Sequence, residues 1–209
     1  METSSTIRVL CVDDHPLIRN GVAHDLKDSP DLRLVGAAST GVEAIAAYRQ
    51  HRPDVMLVDL KLPDIDGIEV ISKIKSEFPG AKCIILTTFS GDVQVSRALK
   101  AGAVGYLLKS TLDKDLINTI RRVHAGQRCI PMEVASELAA HLHVDDLSAR
   151  ELSVLKVVAE GNSNKIVADR LNISEDTVKG HMRNIMMKLN ANDRTHAVLI
   201  AMKRGYLDA

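Results

Sequence analysis

The 209-residue sequence predicts an α/β doubly wound sheet of five parallel strands, followed by a separate all-α unit of four helices. Three observations carry this. Short apolar runs alternate with amphipathic stretches five times over residues 1–125, and repeated strand–helix alternation calls for parallel strands with helices on both faces. The inner runs "DVMLVD" and "KCIILTT" are apolar throughout, as expected of strands covered on both sides. From Ser148 onward every segment carries the helical period instead.

Strands are expected at Ile7–Val12, Leu32–Ala38, Val55–Val58, Lys82–Thr87 and Gly105–Leu108. The helices between and after them fall at Leu17–Asp28, Val42–His51, Ile68–Phe78, Val93–Ala101 and Asp113–Ala125. Pro16 suits a first helical turn, where its missing N–H is not needed. Pro53 precedes the third strand, and Pro79-Gly80 closes the third helix. Residues 126–146 abandon the alternation and read as a linker; a short helix over Met132–His143 fits within it. Residues 147–209 form the helical unit. Ser148 and Glu151 make a capping box for "LSVLKVVAEG", which Gly161 ends. "SNKIVADRLN" gives a second helix. "ISEDTVKGHMRNIMMKLN" gives a third, capped by Ser174 with Glu175 and Asp176 in its first turn. "DRTHAVLIAMKRG" gives the fourth.

The net charge is zero but unevenly spread. From Ser148 on, ten Lys and Arg stand against seven Asp and Glu, while the preceding residues carry 17 basic and 20 acidic groups. The asymmetry fits two modules with different partners. With no Trp and 2% aromatic residues, stacking on unpaired bases is a poor candidate for the main binding mode. Cys11 and Cys83 lie inside apolar runs and read as buried thiols. The start, "METSSTIRVLCVDD", lacks a basic segment and an apolar signal core, and no run approaches 18 apolar residues. The expectation is a reducing cytoplasm and no membrane contact.

In a doubly wound sheet, ligands bind beyond the carboxyl ends of the strands, where strand order reverses. Strand one ends in Asp13-Asp14, strand three in Asp59, strand four in Thr87-Thr88 and strand five in Lys109. Three carboxylates brought together repel one another and call for a cation. Hard oxygen ligands with room for water suit Mg2+. Asp59 is then a candidate nucleophile, since carboxylates form acyl-phosphates. Lys109 and Thr87 could bind phosphoryl oxygens. Singly, each has a plainer reading: Asp13-Asp14 as a helix cap, Lys109 as a surface lysine, Thr87 as strand material, His15 as a solvated loop residue. Their joint arrival at four strand ends sets the functional reading apart.

The motifs "VDDHP", "LVDLKLPDIDG", "LTTF" and "AGAVGYLLKS" resemble the receiver domains of two-component response regulators over about residues 5–125. The resemblance implies a flavodoxin-like receiver in which Asp59 accepts phosphate from a sensor histidine kinase. It implies that Asp14, Asp59 and the backbone carbonyl of Lys61 ligate Mg2+, with Asp13 acting mostly through water. It implies that Thr87 and Lys109 sense the phosphoryl group and that Tyr106 is the aromatic that swings inward on activation. One position departs: many receivers carry a cis proline after the lysine, but Ser110 follows Lys109 here. A cis bond to a non-proline costs roughly 2.5–4 kcal/mol, so the resemblance does not define this bond.

In the third C-terminal helix, Val178, Met182, Ile185, Met186 and Leu189 share one apolar face. Lys179, Gly180, Arg183 and Met187 share the other. Two cations four residues apart, with a bare glycine beside them, suit a helix in a major groove; a solvated charged face is the plainer alternative. The short break "NIS" before this helix is that of a helix-turn-helix. The segment from Leu147 to about Tyr206 resembles the four-helix DNA-binding domains of the LuxR/NarL type. This implies DNA contacts by Lys179, Gly180 and Arg183 and a homodimer contact through the last helix. The residue at Gly180 is often larger in that family.

Together these features are those of a phosphorylation-controlled transcription factor that dimerises on double-stranded DNA half-sites, self-phosphorylating and self-dephosphorylating at the receiver but otherwise not an enzyme. An adaptor acting through protein partners is the alternative. Aspartyl-phosphate phosphatases of the haloacid-dehalogenase kind need an acid two residues after the nucleophile, where Lys61 stands. No G-x-G-x-x-G follows the first strand, which excludes a dinucleotide-binding oxidoreductase.

Overall fold

The computed structural model describes residues 6–88, 91–132, 134–136 and 146–207. The chain folds as two compact units, the first drawn from residues before Ser136 and the second from those after Ala135 together with Gly91–Gln94. The first holds strands β1 (Ile7–Val12), β2 (Leu32–Ala38), β3 (Val55–Asp59), β4 (Cys83–Thr87) and β5 (Gly105–Leu108) in one sheet of order β2-β1-β3-β4-β5. Every neighbouring pair is parallel. Strand order reverses between β1 and β3, so the crevice lies beyond Val12 and Asp59.

Helices α1 (Pro16–Lys27), α2 (Gly41–His51), α3 (Gly67–Glu77), α4 (Asp92–Lys100) and α5 (Leu112–His124) connect and cover the strands. Val9, Cys11, Leu57, Ile84, Leu86 and Leu107 pack with Val22 and Leu26 of α1 and with Leu116, Ile120 and Val123 of α5. The intervening strand residues Leu10, Met56, Val58, Ile85 and Tyr106 are also buried, and by strand alternation they serve the opposite face. The apolar inner runs are thereby explained: β3 and β4 are buried at every position.

The five strands and five helices expected of this unit are all present, with ends shifted by a residue or so. Pro16 opens α1 as expected. The cap of α1 is His15, not an aspartate, and its side chain makes no capping bond. A short 3-10 turn, Lys109–Thr111, joins β5 to α5. No peptide bond among the described residues is cis, so Lys109–Ser110 is trans.

Beyond α5 the chain returns to the sheet edge. Cys129 donates its N–H to Val104 and accepts from Tyr106 N–H at 2.8 Å, extending β5 by an isolated parallel bridge. Residues 132 and 134–136 are helical; the rest of the expected linker helix, 137–143, lies outside the described residues.

The second unit contains α6 (Ala149–Ala159), α7 (Asn164–Leu171), α8 (Glu175–Lys188) and α9 (Arg194–Arg204). Its core gathers Val154, Leu155, Val158, Val167, Val178, Met182, Ile185, Leu189, Ala197 and Ala201. The capping box is complete: Ser148 N–H donates to Glu151 at 2.7 Å, and Glu151 N–H to Ser148 Oγ. Glu151 is buried and also pairs with Lys188 on α8 at 2.9 Å. Burial works against its charge, but Lys188 and the Ser148 bonds hold its carboxyl below the ordinary range. Asn172 ends α7 in the left-handed region and Ser174 caps α8 through Thr177 N–H, giving the tight helix–turn–helix connection.

Candidate functional site

β1 runs straight into Asp13, and β3 ends on Asp59; both carboxylates are buried. Asp14 is exposed at the rim. Ligand atoms of Asp13, Asp14, His15 and Asp59 all lie within 4.8 Å of one another. Lys109, directly after β5, reaches in to place Nζ 2.7 Å from Asp59 Oδ2 and 2.8 Å from Asp13 Oδ2. Thr87, the last residue of β4, is buried, as is Tyr106 on β5. The carboxylates and the ammonium thus meet from the ends of β1, β3 and β5.

Burial pushes the Asp59 carboxyl above its ordinary range; Lys109 opposes this and the Asp13 charge adds to it. Burial also works against the Lys109 ammonium, but the two carboxylates outweigh it and hold the lysine above its usual value. Cys11, beneath the cluster, is pushed up to about 12 by burial and then by Asp13, so it is an inert thiol.

The residues present fit a hard divalent cation. Three carboxylates, Asp13, Asp14 and Asp59, offer oxygens within 4.8 Å of one another, and the one ammonium that reaches them, Lys109, pairs with Asp13 and Asp59. Carboxylates outnumbering the cation beside them favour a further positive charge.

The stretch "LVDLKLPDIDG" assigns a different task to each aspartate. Asp59 stands in the cluster, where its Oδ1 accepts Lys61 N–H at 3.3 Å. Asp66 caps α3 by accepting Ile68 N–H at 2.8 Å. Asp64 reaches α2, where its two oxygens accept Gly41 N–H at 2.7 Å and Val42 N–H at 2.9 Å. Those bonds hold its carboxyl below the ordinary range and pin the loop after Asp59. The partners lie 22 and 23 residues upstream, so no local pattern announces this tie. Arg19 on α1 belongs to no motif either; its guanidinium donates to the Asp13 carbonyl at 2.6 Å and fixes the β1–α1 turn.

In the second unit, Lys179, Gly180 and Arg183 are all exposed on α8, opposite buried Val178, Met182 and Ile185. Lys179 Nζ pairs with Asp176 Oδ1 at 2.9 Å, one turn earlier. A Cβ added at Gly180 would meet nothing within 4 Å, so no packing within the protein calls for glycine there. Arg194, at the start of α9, donates to Asn164 Oδ1 at 2.9 Å and to the Asn162 carbonyl. It therefore braces the helix–turn–helix rather than facing outward as a free cation.

Residues 9–121 match the response regulator receiver domain, and residues 145–201 match the bacterial regulatory proteins of the luxR family. The response regulator protein VraR of Staphylococcus aureus is 37% identical over 207 residues, covering 97% of this chain and 99% of VraR. RcsB from Salmonella enterica serovar Typhimurium, in a structure bound to promoter P1flhDC with the phosphomimetic BeF3-, matches with a TM-score of 0.73 at 26% identity. That match covers 95% of this chain and 99% of RcsB. The response regulator ChrA of a heme-sensing two-component system matches at 33% identity and a TM-score of 0.57, covering 97% of this chain and all of ChrA. The chain belongs to the response regulator family, with a receiver domain followed by a LuxR-type helical domain.

Proposed function

We propose that the protein is a transcription factor whose receiver takes a phosphoryl group on Asp59 from a sensor histidine kinase and whose helical domain binds double-stranded DNA. The observation that carries this is the contact of one ammonium, Lys109, with both Asp59 and Asp13 at the rim where Asp14 also stands. The receiver comprises residues 1–125, the linker 126–146 and the DNA-binding domain 147–209.

Asp14, Asp59 and the Lys61 carbonyl would hold Mg2+ directly, and Asp13 through water. Bound Mg2+ supplies positive charge against the phosphoryl oxygens. The Asp59 carboxylate attacks phosphorus, the P–N bond to the kinase histidine breaks, and the imidazole leaves with that electron pair. Lys109 then turns from a carboxylate to a phosphoryl oxygen, and the Thr87 hydroxyl takes another. Thr87 and Tyr106, on adjacent strands, carry the change to the receiver surface. The phosphorylated chain dimerises, and two α8 helices meet half-sites about 10 base pairs apart. RcsB, a relative of the same build, is bound to DNA in its structures. No described helix is long and apolar enough to cross a membrane, and a DNA-binding regulator works in the cytoplasm.

Incubation with acetyl phosphate and Mg2+ should add one phosphoryl group, as measured by intact mass. Asp59→Asn and EDTA should each abolish the addition. Labelling of Asp59→Asn at the wild-type rate would overturn the assignment.

A further inference from the structure

Helix α8 carries two side chains that neither packing nor capping explains, Asn184 and Met187. Both are exposed, Met187 by 73%. Two other methionines of this helix turn inward: Met182 is buried and Met186 half-buried against the core. Polar neighbours on α8 are engaged within the protein. Thr177 Oγ1 bonds Ser174 Oγ at 2.8 Å, Lys179 pairs with Asp176, and Lys188 is held by Glu151 and the Asp146 carbonyl. The Asn184 amide, like the Arg183 guanidinium, has no hydrogen-bond partner among the described residues.

At 3.6 residues per turn, Gly180, Arg183, Asn184 and Met187 fall on one stripe about 100° wide. It faces away from the buried Val178, Met182 and Ile185. The stripe is about 10.5 Å long, enough to cross about three base pairs at about 3.4 Å each. A Cβ at Gly180 would meet nothing within 4 Å, so the stripe is lowest at that end and can approach base edges closely. Arg183 gives it a positive charge that complements DNA. Single exposed apolar residues are ordinary on protein surfaces; a free amide and a free thioether beside this cation and this gap are a narrower combination.

The two side chains have matching partners in a major groove. An amide offers one acceptor and two N–H donors. Adenine presents an N7 acceptor beside an N6 donor and can take both bonds, whereas guanine presents two acceptors. The flexible thioether of methionine offers almost no hydrogen bonding and suits the C5-methyl of thymine. We propose that Asn184 and Met187 are base-reading residues, Asn184 at an adenine edge and Met187 at a thymine methyl, so that each half-site carries A·T pairs beneath the C-terminal half of α8. The proposal rests on reading α8 as the DNA-facing helix.

The test begins with selection from a random duplex library by the full chain treated with acetyl phosphate and Mg2+. In the selected half-site each thymine is replaced in turn by deoxyuridine, which lacks only the methyl, and each adenine by 7-deazaadenine, which lacks the N7 acceptor. One thymine replacement should weaken wild-type binding about fourfold, the worth of one buried methyl, and leave Met187→Ala unaffected. One adenine replacement should weaken wild-type binding about tenfold and leave Asn184→Ala unaffected. Both side chains are exposed, so both variants should unfold in urea as the wild type does. A half-site without A·T preference, or replacements that weaken wild type and variant equally, would overturn the proposal. Arg183→Glu tests the underlying reading separately. If it abolishes DNA binding while neither replacement couples to its residue, α8 still meets DNA and the proposed pair is wrong. If it binds DNA as the wild type does, α8 is not at the interface, and the proposal goes with that reading.

Discussion

The Cβ that Gly67 lacks would stand 2.0 Å from the carbonyl oxygen of Asp59. The first residue of α3 thus lies directly against the backbone of the proposed phosphoacceptor, and the loop between them closes through Gly67 N–H to the Leu60 carbonyl at 2.9 Å. The obstructing atoms, Asp59 O and C and Leu60 Cα, are all backbone and cannot rotate away. Gly67→Ala should therefore destabilise the receiver by about 1–3 kcal/mol, as overpacking does, and slow labelling by acetyl phosphate. Gly21→Ala is the matched control. Gly21 lies within α1, and a Cβ there meets nothing within 4 Å, so it should stabilise by up to about 1 kcal/mol through helix propensity. Urea unfolding of both variants decides; a neutral Gly67→Ala would mean that the loop yields freely.

The Asp59 carboxyl titrates above its unfolded value, chiefly through burial. A carboxyl of this kind stabilises the fold when neutral, below the unfolded pKa of 3.8, and that contribution is lost as pH rises through the folded value. At pH 7 its charge is therefore a net cost even beside Lys109. Asp59→Asn should be more stable than wild type at pH 7, with the advantage shrinking as pH falls toward 3.8. Equal urea midpoints at pH 7 would contradict the direction of the shift.

Cation binding should reverse part of that cost. At tenfold its dissociation constant, Mg2+ should stabilise the wild-type receiver by about 1.4 kcal/mol through mass action. Asp14→Asn should lose most of this gain and be no less stable without Mg2+. If the Mg2+-dependent shift in midpoint survives intact, Asp14 is not a ligand.

How far the sequence reached depends on how local each signal was. Asp59 at a strand end, the Ser148–Glu151 box and the Ser174 cap were legible because each involves residues within one turn or at one strand end. The meeting of Asp13, Asp59 and Lys109 was legible only through strand order, which places separate strand ends on one rim. Glu151 pairs with Lys188, 37 residues away, and Asp64 crosses to α2; neither has a spacing rule. Nothing in the sequence singles out Gly67, because its collision with Asp59 O is a fact of packing. The cap of α1 went to His15 because Pro16 fixes the first turn, leaving Asp13 and Asp14 outside the helix.

Glu151 ties the cap of α6 to α8, and its pKa is depressed. A depressed carboxyl contributes stability above its unfolded pKa of 4.5, and loses it as pH falls through the folded value. Glu151→Gln should cost about 1–3 kcal/mol at pH 7, as loss of a buried hydrogen-bonded charge does, and the difference from wild type should shrink below pH 4.5. Hydrogen exchange at α6 and α8 amides measures this locally. A constant difference down to pH 3 would show that the carboxylate charge contributes nothing.

The last prediction concerns the reading helix. Lys179 and Arg183 project from one exposed face of α8, but Lys179 is engaged by Asp176 one turn earlier. Both partners are exposed and salt-screened, so the pair is weakly held and can open when a phosphate approaches. Asp176 also places a negative charge beside the DNA-facing surface. Asp176→Asn should therefore tighten binding to cognate and scrambled DNA alike, most at low salt. Lys179→Ala should weaken all sequences alike and reduce the salt slope by about 1, if it meets phosphate. Arg183→Ala should do the same, or relax preference at one base pair at a cost of about 1–3 kcal/mol if it reads a guanine edge. Gly180→Ala separates folding from reading, because the added methyl has open space in the free protein. It should leave the fold intact and weaken DNA binding only if the backbone there lies against the groove. Titrations against both DNAs at several salt concentrations distinguish these outcomes. If Lys179→Ala, Arg183→Ala and Asp176→Asn all leave affinity, salt slope and base preference unchanged, α8 is a solvated charged face and the DNA contact lies elsewhere.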